Sequence, residues 1–517
     1  MANESMKSRI ELLERRREEV AAGGGERNVE KQHAQGKLTA RERIEELVDP
    51  GTFQETGMFV EHRATMFGMA GREIAADAVV TGQAAVLGRV VHVASQDFTA
   101  SGGTIGEVHA DKVEAALAAA LKTGTPFIFI NDSGGARVQE GIVALDGCGR
   151  IFYHNVLLSG VVPQITILAG PCAGAAAYSP ALTDFIIQTR AARMFITGPD
   201  VIQQVTGEVV SAEQLGGPDV HMARSGVVHF VAEDDRHALL IAKKLLTFLP
   251  SNNTEDPPEV ESDDTVEPNP RLNDIVPADP KRPYDMREII ANVVDGADFL
   301  EVQAGYAGNV VVGFARMTGR TIGVVANQPL VLSGVLDINA SDKITRFVRF
   351  CNAFNIPLLT FVDVPGFLPG VGQEYDGIIR HGAKVLFAYS AATVPKVTII
   401  VRKAFGGGYI AMCSKALGAD RSYAWPTAEV AVMGAEGAAE IVFRREIAAA
   451  EDQAAKRAEL IETYRETFAN PYVAASSQLV DDVIEPAVTR RVVAQAFEAL
   501  TTKRDLRPAK KHGLIPM

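Results

Sequence analysis

Glycine-rich turns that follow apolar runs are the residues of this chain with the clearest chemical potential. One pair comprises Thr360–Glu374 (TFVDVPGFLPGVGQE) and Arg402–Ile410 (RKAFGGGYI). An apolar run that ends in glycines is typical of a buried strand that presents backbone N–H groups at a turn, where another molecule can approach closely. A second pair of the same design lies earlier, at Thr125–Arg137 (TPFIFINDSGGAR) and Ala169–Ala175 (AGPCAGA). We therefore expect two related sites built largely from backbone amides.

The two pairs of turns belong to an internal repeat. One offset of 231 residues relates Gly88-Arg89 to Gly319-Arg320, Asp111-Lys112 to Asp342-Lys343, Pro126 to Pro357, and Asp132 to Asp363, and an offset of 232 relates Val162–Gln164 to Val394–Lys396. A constant offset over a long stretch predicts two copies of one domain. From about Ala75, short Val/Ile/Ala runs alternate with Ala-rich segments such as Val113–Leu121. This alternation indicates an α/β fold with buried parallel strands.

The backbone amides of the first copy could form an oxyanion hole. If the strands before Ser133–Arg137 and Ala173–Ala175 are neighbours, the N–H groups of Ala136 and of Gly174 or Ala175 can converge on one oxygen. Losing one such donor typically costs about 2.7 to 4 kcal/mol of activation free energy. The alternative is that the glycines only permit turns. One isolated pair would favour that alternative, whereas two matched pairs in repeated domains favour a site.

Catalytic side chains are not evident in the sequence. It contains no G-x-S-x-G nucleophile elbow, no H-E-x-x-H and no carboxylate cluster with metal spacing, and the glycine turns match neither a P-loop nor a dinucleotide fingerprint. The polar residues near the turns, more often ion-pair partners or loop anchors than general bases, are Arg137, Glu140, Glu374, Arg380, His381 and Lys403. We therefore expect that the protein binds no metal and that backbone amides stabilise an enolate or another oxyanion. The proton acceptor would be supplied from elsewhere.

Composition limits the possible partners and location. A net charge of −13 and a pI near 5.4 argue against nucleic acid or an anionic membrane as a partner. The four cysteines, Cys148, Cys172, Cys351 and Cys413, lack the short spacings of zinc sites or disulfide frameworks. Residues 1–20 lack the apolar core of a signal peptide, and no apolar run approaches the roughly 18 residues that span a bilayer. We expect a cytoplasmic protein with reduced thiols and no direct membrane insertion.

Changes in composition and apolar pattern along the chain divide it into three regions. An N-terminal domain, residues 1–250, begins with a helical arm at residues 7–48, where we expect two charged helices around Gly23–Gly25. A capping box of Thr39 and Glu42 should open the second of these helices. Residues 251–285 are an acidic, proline-rich linker, with eight prolines and ten acidic residues from Pro250 to Asp285. Residues 286–517 form a C-terminal domain, in which we expect charged helices over 445–468 and 490–500.

Long ordered motifs resemble the carboxyltransferase subunits of biotin-dependent acyl-CoA carboxylases, decarboxylases and transcarboxylases. The similar segments are Gly24–Arg27, Glu30–His33, Gly36–Ile44, Ser95–Thr99, Asp132–Gly141, Gly170–Gly174, Phe195–Asp200, Asp363–Gly370 and Ala424–Gly437. They run through most of the chain. Within the family the resemblance is greatest to the propionyl-CoA and methylmalonyl-CoA group, with details at Asn252–Glu255 and Arg507–Gly513.

The resemblance implies a fold, an assembly and site residues. It implies a tandem repeat of two crotonase-like ββα-superhelix domains, stacked dimers in a homohexamer, an N-terminal domain that binds acyl-CoA, and a C-terminal domain of a facing subunit that binds biotin. By the same resemblance, the enolate oxygen of the thioester is held by Ala136, Gly174 and Ala175, and the ureido oxygen of biotin by Gly407, Gly408 and Phe367. Two positions depart from the family pattern. Ala175 stands where glycine is usual and should crowd the thioester, and Ile410 stands where some propionyl-type members carry Asp, which leaves the preferred acyl chain open.

The implied function is the carboxyltransferase component of a biotin-dependent enzyme. It would move CO2 between carboxybiotin and the α-carbon of a short acyl-CoA, with propionyl-CoA and methylmalonyl-CoA favoured. Because biotin supplies the base, no side-chain base is needed. The partners implied are a biotin carboxyl carrier protein and a biotin carboxylase or second carboxyltransferase subunit, and the direction (carboxylase, transcarboxylase or decarboxylase) stays open.

Two other classes of protein also stay open. A crotonase-type hydratase or isomerase would use the same oxyanion hole, but it needs a Glu or Asp base and gives no reason for a second copy of the domain. A non-catalytic assembly subunit would need neither hole.

Overall fold

The structure is a computed structural model that describes residues 5–262 and 264–517 of the chain. The chain divides into two compact units, and the boundary between them falls after Glu255. Each unit is built around one eight-stranded, mostly parallel sheet. This architecture confirms the predicted α/β class with two sheets.

The first unit carries an N-terminal arm of helices before its sheet. Its strands are β1 (Gln54–Thr56), β2 (Val79–Val86), β3 (Arg89–Gln96), β4 (Phe127–Ser133), β5 (Gln164–Ala173), β6 (Phe185–Thr189), β7 (Arg193–Phe195) and β8 (Phe230–Ala232). Its helices are α1 (Met6–Ala21), α2 (Glu26–Ala34), α3 (Ala40–Leu47), α4 (Glu107–Thr123), α5 (Ile142–Leu158), α6 (Tyr178–Leu182), α7 (Pro199–Thr206), α8 (Ala212–Gly216), α9 (Pro218–Val220) and α10 (Asp235–Leu246). The strand order is β1-β2-β3-β4-β5-β6-β8, and β7 pairs with the end of β5.

The second unit repeats this plan. Its strands are β9 (Leu300–Val302), β10 (Val310–Met317), β11 (Arg320–Asn327), β12 (Leu358–Val364), β13 (Lys396–Phe405), β14 (Arg421–Ala424), β15 (Glu429–Ala431) and β16 (Asp482–Val483). Its helices are α11 (Leu272–Ile275), α12 (Met286–Val293), α13 (Ile338–Ala353), α14 (Val371–Asp376), α15 (Ile378–Ala391), α16 (Gly406–Ala411), α17 (Ala435–Val442), α18 (Arg444–Ala449), α19 (Gln453–Thr467), α20 (Pro471–Ser476) and α21 (Thr489–Ala499). The strand order is β9-β10-β11-β12-β13-β14-β16, and β15 pairs with the end of β13.

Strand directions also match between the two sheets. In each sheet the first three strands in spatial order are antiparallel and the remaining pairings are parallel. The central strands β4 and β12 are buried along their whole length, because helices cover both faces of the sheet. Each strand of the first unit therefore has a counterpart eight strands later.

The N-terminal arm contains three helices, whereas the sequence predicted two. The chain leaves α2 at Gly36, which has a φ of 72° that favours glycine, and this turn separates α2 from α3. The capping box at the start of α3 is confirmed, since the Thr39 hydroxyl accepts from the Glu42 N–H and the Glu42 carboxylate accepts from the Thr39 N–H. The helix that the sequence did not predict is α2, because its mostly polar residues show no apolar period.

The predicted helix over 445–468 is also two helices, α18 and α19. Asp452 caps the second one, its carboxylate accepting from the Ala455 N–H at 2.9 Å. The last helix, predicted over 490–500, is observed as α21 at Thr489–Ala499.

The acidic, proline-rich residues 256–285 belong to the second unit. Leu272 is fully buried and Tyr284 is only 6% exposed, so this segment contributes to the core of that unit. In the described part of the chain no helix is long and apolar enough to cross a membrane.

Candidate oxyanion sites of the two units

The first turn of the N-terminal unit lies between two neighbouring strands, as the oxyanion prediction requires. β4 and β5 are parallel neighbours, and their register shifts between Asn131 and Ser133 just before the turn. Gly135 follows with a φ of 98°, and a Cβ added to it would stand 2.8 Å from the Ala173 carbonyl oxygen. The turn after β4 therefore packs directly on the end of β5.

A single backbone bridge fixes Ala136. Ile105 donates its N–H to the Gly135 carbonyl at 2.9 Å, and Arg137 donates its N–H to the Ile105 carbonyl at 2.8 Å. Both hydrogen bonds use the groups that flank Ala136. Within residues 5–262 and 264–517, the Ala136 N–H itself donates to no group. This amide is held in place and remains available to a ligand.

The second turn of this unit begins a short helix. A 3₁₀ turn, Gly174–Ala177, follows β5 and leads into α6. The first N–H groups of a helix lack intrahelical partners. Gly174 has a φ of 61°, which favours glycine, whereas Ala175 has an ordinary negative φ that suits an L side chain. Alanine at 175 thus keeps its amide in place without backbone strain.

The C-terminal unit repeats the bridge at Phe367. Leu336 donates its N–H to the Gly366 carbonyl at 3.0 Å, and Leu368 donates its N–H to the Leu336 carbonyl at 2.8 Å. These residues follow Gly135, Ile105 and Arg137 by the same 231 positions. Phe367 therefore occupies the place that Ala136 holds in the first unit.

The turn after β13 shows which glycines correspond between the units. Gly406 has a φ of 56° at the start of α16, in the place where Gly174 has 61°. This match aligns Gly174 with Gly406 and Ala175 with Gly407. The sequence interpretation named Gly174 and Ala175 in the first unit and Gly407 and Gly408 in the second, and of these Ala175 and Gly407 are equivalent positions. The 232-residue offset between Val162–Gln164 and Val394–Lys396 is the sequence signal that predicts this structural alignment.

Close packing around α16 suits a flat, neutral group that accepts hydrogen bonds. A Cβ added to Gly408 would lie 2.9 Å from the Gly366 Cα, whereas one added to Gly407 would meet the Phe367 ring at 3.6 Å. The same ring fills the space beside Gly382 on α15, where an added Cβ would lie 2.8 Å from it. A ureido ring needs N–H donors for its oxygen and a flat apolar surface beside the ring. The amides at the start of α16 and the Phe367 ring provide both, so these residues fit the biotin that the resemblance implies. Ile410, 43% exposed, follows on the same helix.

A buried carboxylate anchors the first turn. Asp132 is fully buried and accepts from Lys37 Nζ at 2.8 Å, Arg43 Nη2 at 2.9 Å and Gln32 Nε2 at 3.0 Å. Its own N–H donates to Gln96 Oε1 at 3.1 Å. The N-terminal arm, which supplies Gln32, Lys37 and Arg43, therefore fixes the end of β4.

Asp363 does the same for the second unit with different partners. Its carboxylate accepts from Arg402 Nε at 3.0 Å, the Tyr284 hydroxyl at 2.8 Å and the Lys403 N–H at 3.0 Å. Its N–H donates to Asn327 Oδ1 at 3.2 Å, as Asp132 does to Gln96. Burial raises the pKa of Asp363, and the Arg402 guanidinium opposes that rise.

The polar residues near the turns are largely committed to other groups. Arg137 is 1% exposed and ion-paired, and His381 Nδ1 lies 2.8 Å from Asp342 Oδ2. All four cysteines are free and buried. Burial raises the pKa of Cys148 to about 11 and that of Cys172 to about 12. None of these side chains has the properties of a poised nucleophile.

A separate cavity of about 440 Å³ occurs in the second unit. Residues at its wall include Arg320, Pro357 and Pro395, at the amino ends of β11, β12 and β13. The glycine turns lie at the carboxyl ends of β12 and β13. The candidate site is thus at the opposite edge of the sheet from this cavity.

Paired backbone-amide turns on two α/β units are typical of a protein that stabilises negative charge on two bound oxygens. Comparison with known proteins agrees with this class. Residues 31–515 match the family model described as the carboxyl transferase domain. The chain therefore belongs to the carboxyl transferase family, and the predicted relation to subunits of biotin-dependent acyl-CoA enzymes is confirmed.

Individual relatives match nearly the whole chain. The methylmalonyl-CoA carboxyltransferase 12S subunit of Propionibacterium freudenreichii subsp. shermanii is 62% identical over 512 residues, covering 99% of this chain and 98% of that one. The propionyl-CoA carboxylase beta chain of Cereibacter sphaeroides is 53% identical over 514 residues, covering 99% and 100%.

A solved structure of a relative matches the fold throughout. The transcarboxylase 12S hexamer, described with methylmalonyl-coenzyme A and methylmalonic acid bound, superposes with a TM-score of 0.98 at 62% identity. The superposition covers 100% of this chain and 99% of that one.

Proposed function

We propose that this chain moves a carboxyl group between carboxybiotin and the α-carbon of propionyl-CoA, with methylmalonyl-CoA as the carboxylated partner. The observation that carries the proposal is the same backbone-amide turn, built twice in units of one topology. The 53–62% identical relatives act on these acyl groups by name. We also infer that both units are crotonase-like.

The first unit is suited to hold a thioester as its enolate. The N–H of Ala136, with that of Gly174 or Ala175, would donate to the thioester oxygen as negative charge develops there. Such donors act most strongly when they are fixed in advance, because no reorganisation is then needed at the moment of reaction. The bridge from Ile105 provides this fixation.

The second unit is suited to hold a ureido oxygen. Gly407 and Gly408 would donate their N–H groups, and the Phe367 ring would exclude water from the same side. Biotin, when bound, supplies the carboxyl group and afterwards a nitrogen that accepts the α-proton. This chain would contribute binding, orientation and charge stabilisation rather than a base.

The Glu140 carboxylate, four residues after Ala136, is not available as a base. Glu140 Oε1 lies 2.7 Å from Arg137 Nη1, and Glu140 Oε2 accepts from the Glu107 N–H at 2.7 Å. A hydratase or isomerase that uses the first turn would need a carboxylate facing the substrate. The commitment of Glu140 therefore favours carboxyl transfer.

Assembly and partners follow the relatives. We infer a homohexamer in which a second copy of the chain presents its biotin turn to the acyl-CoA, together with a biotin carboxyl carrier protein and a biotin carboxylase or second carboxyltransferase subunit. The direction of the reaction in the cell is set by those partners. Ile410 and Ala175 are the positions that we expect to tune acyl-chain length.

Replacing Gly407 with valine tests the division between two sites. The side chain would project toward the Phe367 ring, only 3.6 Å from an added Cβ, and fill the space of the ureido group. We expect carboxyl transfer to fall by at least 100-fold, while the Kd for propionyl-CoA changes less than about twofold. Isothermal titration and a transfer assay with free biotin measure the two quantities.

Ala175→Val is the matched variant in the other turn, because Ala175 aligns with Gly407 and neither has a positive φ, and it should weaken use of the acyl-CoA. Equal loss of CoA binding and transfer in Gly407→Val would contradict the assignment of that turn to biotin.

A further inference from the structure

A buried ion triad lies directly behind the oxyanion turn of the first unit. Arg137 Nη1 lies 2.5 Å from Asp77 Oδ1 and 2.7 Å from Glu140 Oε1. The three side chains are 0 to 3% exposed. Arg137 directly follows Ala136, whose N–H is the proposed donor to the thioester oxygen, so the triad holds the residue next to the reactive amide.

Further hydrogen bonds tie the guanidinium to the bridge that positions Ala136. Arg137 Nη2 donates to the Thr104 carbonyl at 2.9 Å and Nε donates to the Thr104 hydroxyl at 3.2 Å. Thr104 precedes Ile105, the partner of Ala136 in the bridge. Gly106 on the other side leaves room, since a Cβ there would stand 2.5 Å from Arg137 Nη1. Both strands of the bridge are thus attached to one guanidinium.

Asp77 reaches the triad from a segment that the second unit largely lacks. In the first unit 22 residues, Gly57–Ala78, separate β1 from β2, whereas only seven, Gln303–Asn309, separate β9 from β10. Asp77 has a φ of 49° within that segment, and its Oδ2 accepts from the His109 N–H at 2.7 Å. Its backbone conformation is uncommon for a residue other than glycine.

The other copy of the domain shows that the fold does not need this charge. At the 231-residue offset, the clamp residues Asp77, Thr104, Arg137 and Glu140 correspond to Gly308, Val335, Leu368 and Val371. All four polar residues are replaced by glycine or an aliphatic residue, and uncharged side chains bond the equivalent backbone groups: Asn309 Nδ2 donates to the Val335 carbonyl at 2.8 Å, and Gln373 Oε1 accepts from the Ile338 N–H at 3.1 Å. The bridge between Leu336 and Phe367 is nevertheless formed with the same hydrogen bonds. By contrast, the structural residues Asp132 and Lys112 are kept as Asp363 and Lys343.

We propose that Arg137, held by Asp77, Glu140 and Thr104, is a positioning residue that fixes the Ala136 N–H for the enolate oxygen of the acyl-CoA. The clamp holds rigid the turn that stabilises the enolate of the acyl-CoA, and its side chains do not touch the substrate. This inference rests on the proposed function and adds to it a device specific to the acyl-CoA unit. A turn free to move by about 1 Å would lose on the order of 100-fold in rate.

A four-residue exchange tests the clamp without leaving buried charges unpaired. The variant Asp77→Gly/Thr104→Val/Arg137→Leu/Glu140→Val installs the residues of the second unit. We expect the variant to fold, and we expect its KM for propionyl-CoA to stay within about threefold of the wild-type value. Its kcat for carboxyl transfer should fall about 100-fold.

Conservative variants keep the test independent of folding. Arg137→Lys retains charge but cannot bridge Asp77, Glu140 and Thr104 together, so kcat should fall at least tenfold with little change in KM. Arg490→Lys is the matched control: Arg490 is buried and donates to Asp295 at 2.7 Å in the second unit, away from both turns. It should lower the Tm without changing kcat.

The outcomes separate this inference from the proposed function. If wild-type protein transfers carboxyl groups and both clamp variants keep kcat within about twofold, the inference is overturned and the function stands. If both clamp variants lose kcat only in proportion to lost folded protein, as Arg490→Lys would, the clamp is a folding element and the inference is again overturned. If wild-type protein transfers nothing, the proposed function itself fails.

Discussion

Single residues decide which amides can serve as donors. Gly174 and Gly406 have φ values near 60°, and they orient the amides that follow them. Ala175 shows that glycine is not needed one position later, because its φ is negative. The sequence marked these segments by glycine content alone, and that signal could not separate a glycine required by φ from one required by close packing.

Gly407 and Gly408 should respond differently to alanine. An added Cβ at Gly408 lies 2.9 Å from the Gly366 Cα and 3.0 Å from a Val364 methyl, so backbone must move. At Gly407 the nearest contact is 3.6 Å from the Phe367 ring, an ordinary distance. We expect Gly408→Ala to lower kcat at least tenfold and Gly407→Ala to lower it severalfold.

Steady-state transfer assays with free biotin measure both variants, with wild-type Tm as the control for folding. A Gly408→Ala protein as active as Gly407→Ala would show that the turn at Gly366 plays no part.

The cysteines should be inert in the native protein. Burial raises the pKa of Cys148 and Cys413 to about 11 and that of Cys172 to about 12, so thiolate is scarce at pH 8. We expect no reaction with a disulfide reagent such as DTNB over minutes at pH 8, and reaction of all four thiols in guanidinium chloride. One fast thiol in native protein would reopen the case for a cysteine nucleophile.

At the scale of elements, the strands that carry the site were predictable and the fine structure of the turns was not. The mostly apolar runs 127–130 and 358–362 begin β4 and β12, because a strand buried on both faces is apolar over most of its length. The bulge before each turn and the bridge from Ile105 or Leu336 depend on contacts between distant segments. Helix α2 was missed for a local reason, because its mostly polar sequence shows no apolar period.

Two related lysines fix the loops in front of β2 and β10. Lys343 Nζ donates to the carbonyls of Gln303, Tyr306 and Val310 at 2.7 to 3.0 Å, and Lys112 Nζ donates to that of Ala76 at 2.9 Å. The 231-residue repeat preserved both lysines in the sequence. Without side-chain coordinates, however, they resembled ordinary surface charges on a helix.

Stability should depend on pH through Lys343. Burial lowers the pKa of Lys343 to about 8, while the unfolded chain keeps a value near 10.4. Between about pH 8 and pH 10 the unfolded state therefore binds more protons, and this group makes the free energy of unfolding rise with pH, by at most about 1.4 kcal/mol per pH unit.

Chemical denaturation at pH 8 and pH 10 should show that rise in wild-type protein relative to Lys343→Met. Lys112, with a pKa also lowered to about 8, remains in both proteins and cancels in the comparison. The same pH slope in both proteins would contradict the burial of a titrating ammonium at Lys343.

At the scale of the whole molecule, the proposed function gives the two copies of one architecture different tasks. The two units share strand order, bulge and bridge, and they differ where chemistry differs. The first unit, which we propose to bind the acyl-CoA, has a small Ala136 beside the Arg137 clamp, whereas the second unit, which we propose to bind biotin, has Phe367 there and glycine or aliphatic residues at the clamp positions. The sequence predicted the duplication and the turns, whereas the clamp of the first copy became visible only through its hydrogen bonds.

The most direct test of the account is a transfer assay with the purified chain, free biotin and methylmalonyl-CoA labelled in its free carboxyl group. We predict that label appears in carboxybiotin together with an equal amount of propionyl-CoA, and that Gly407→Val abolishes this transfer while still binding the CoA ester. Folded wild-type protein that produces neither labelled carboxybiotin nor propionyl-CoA would contradict the account.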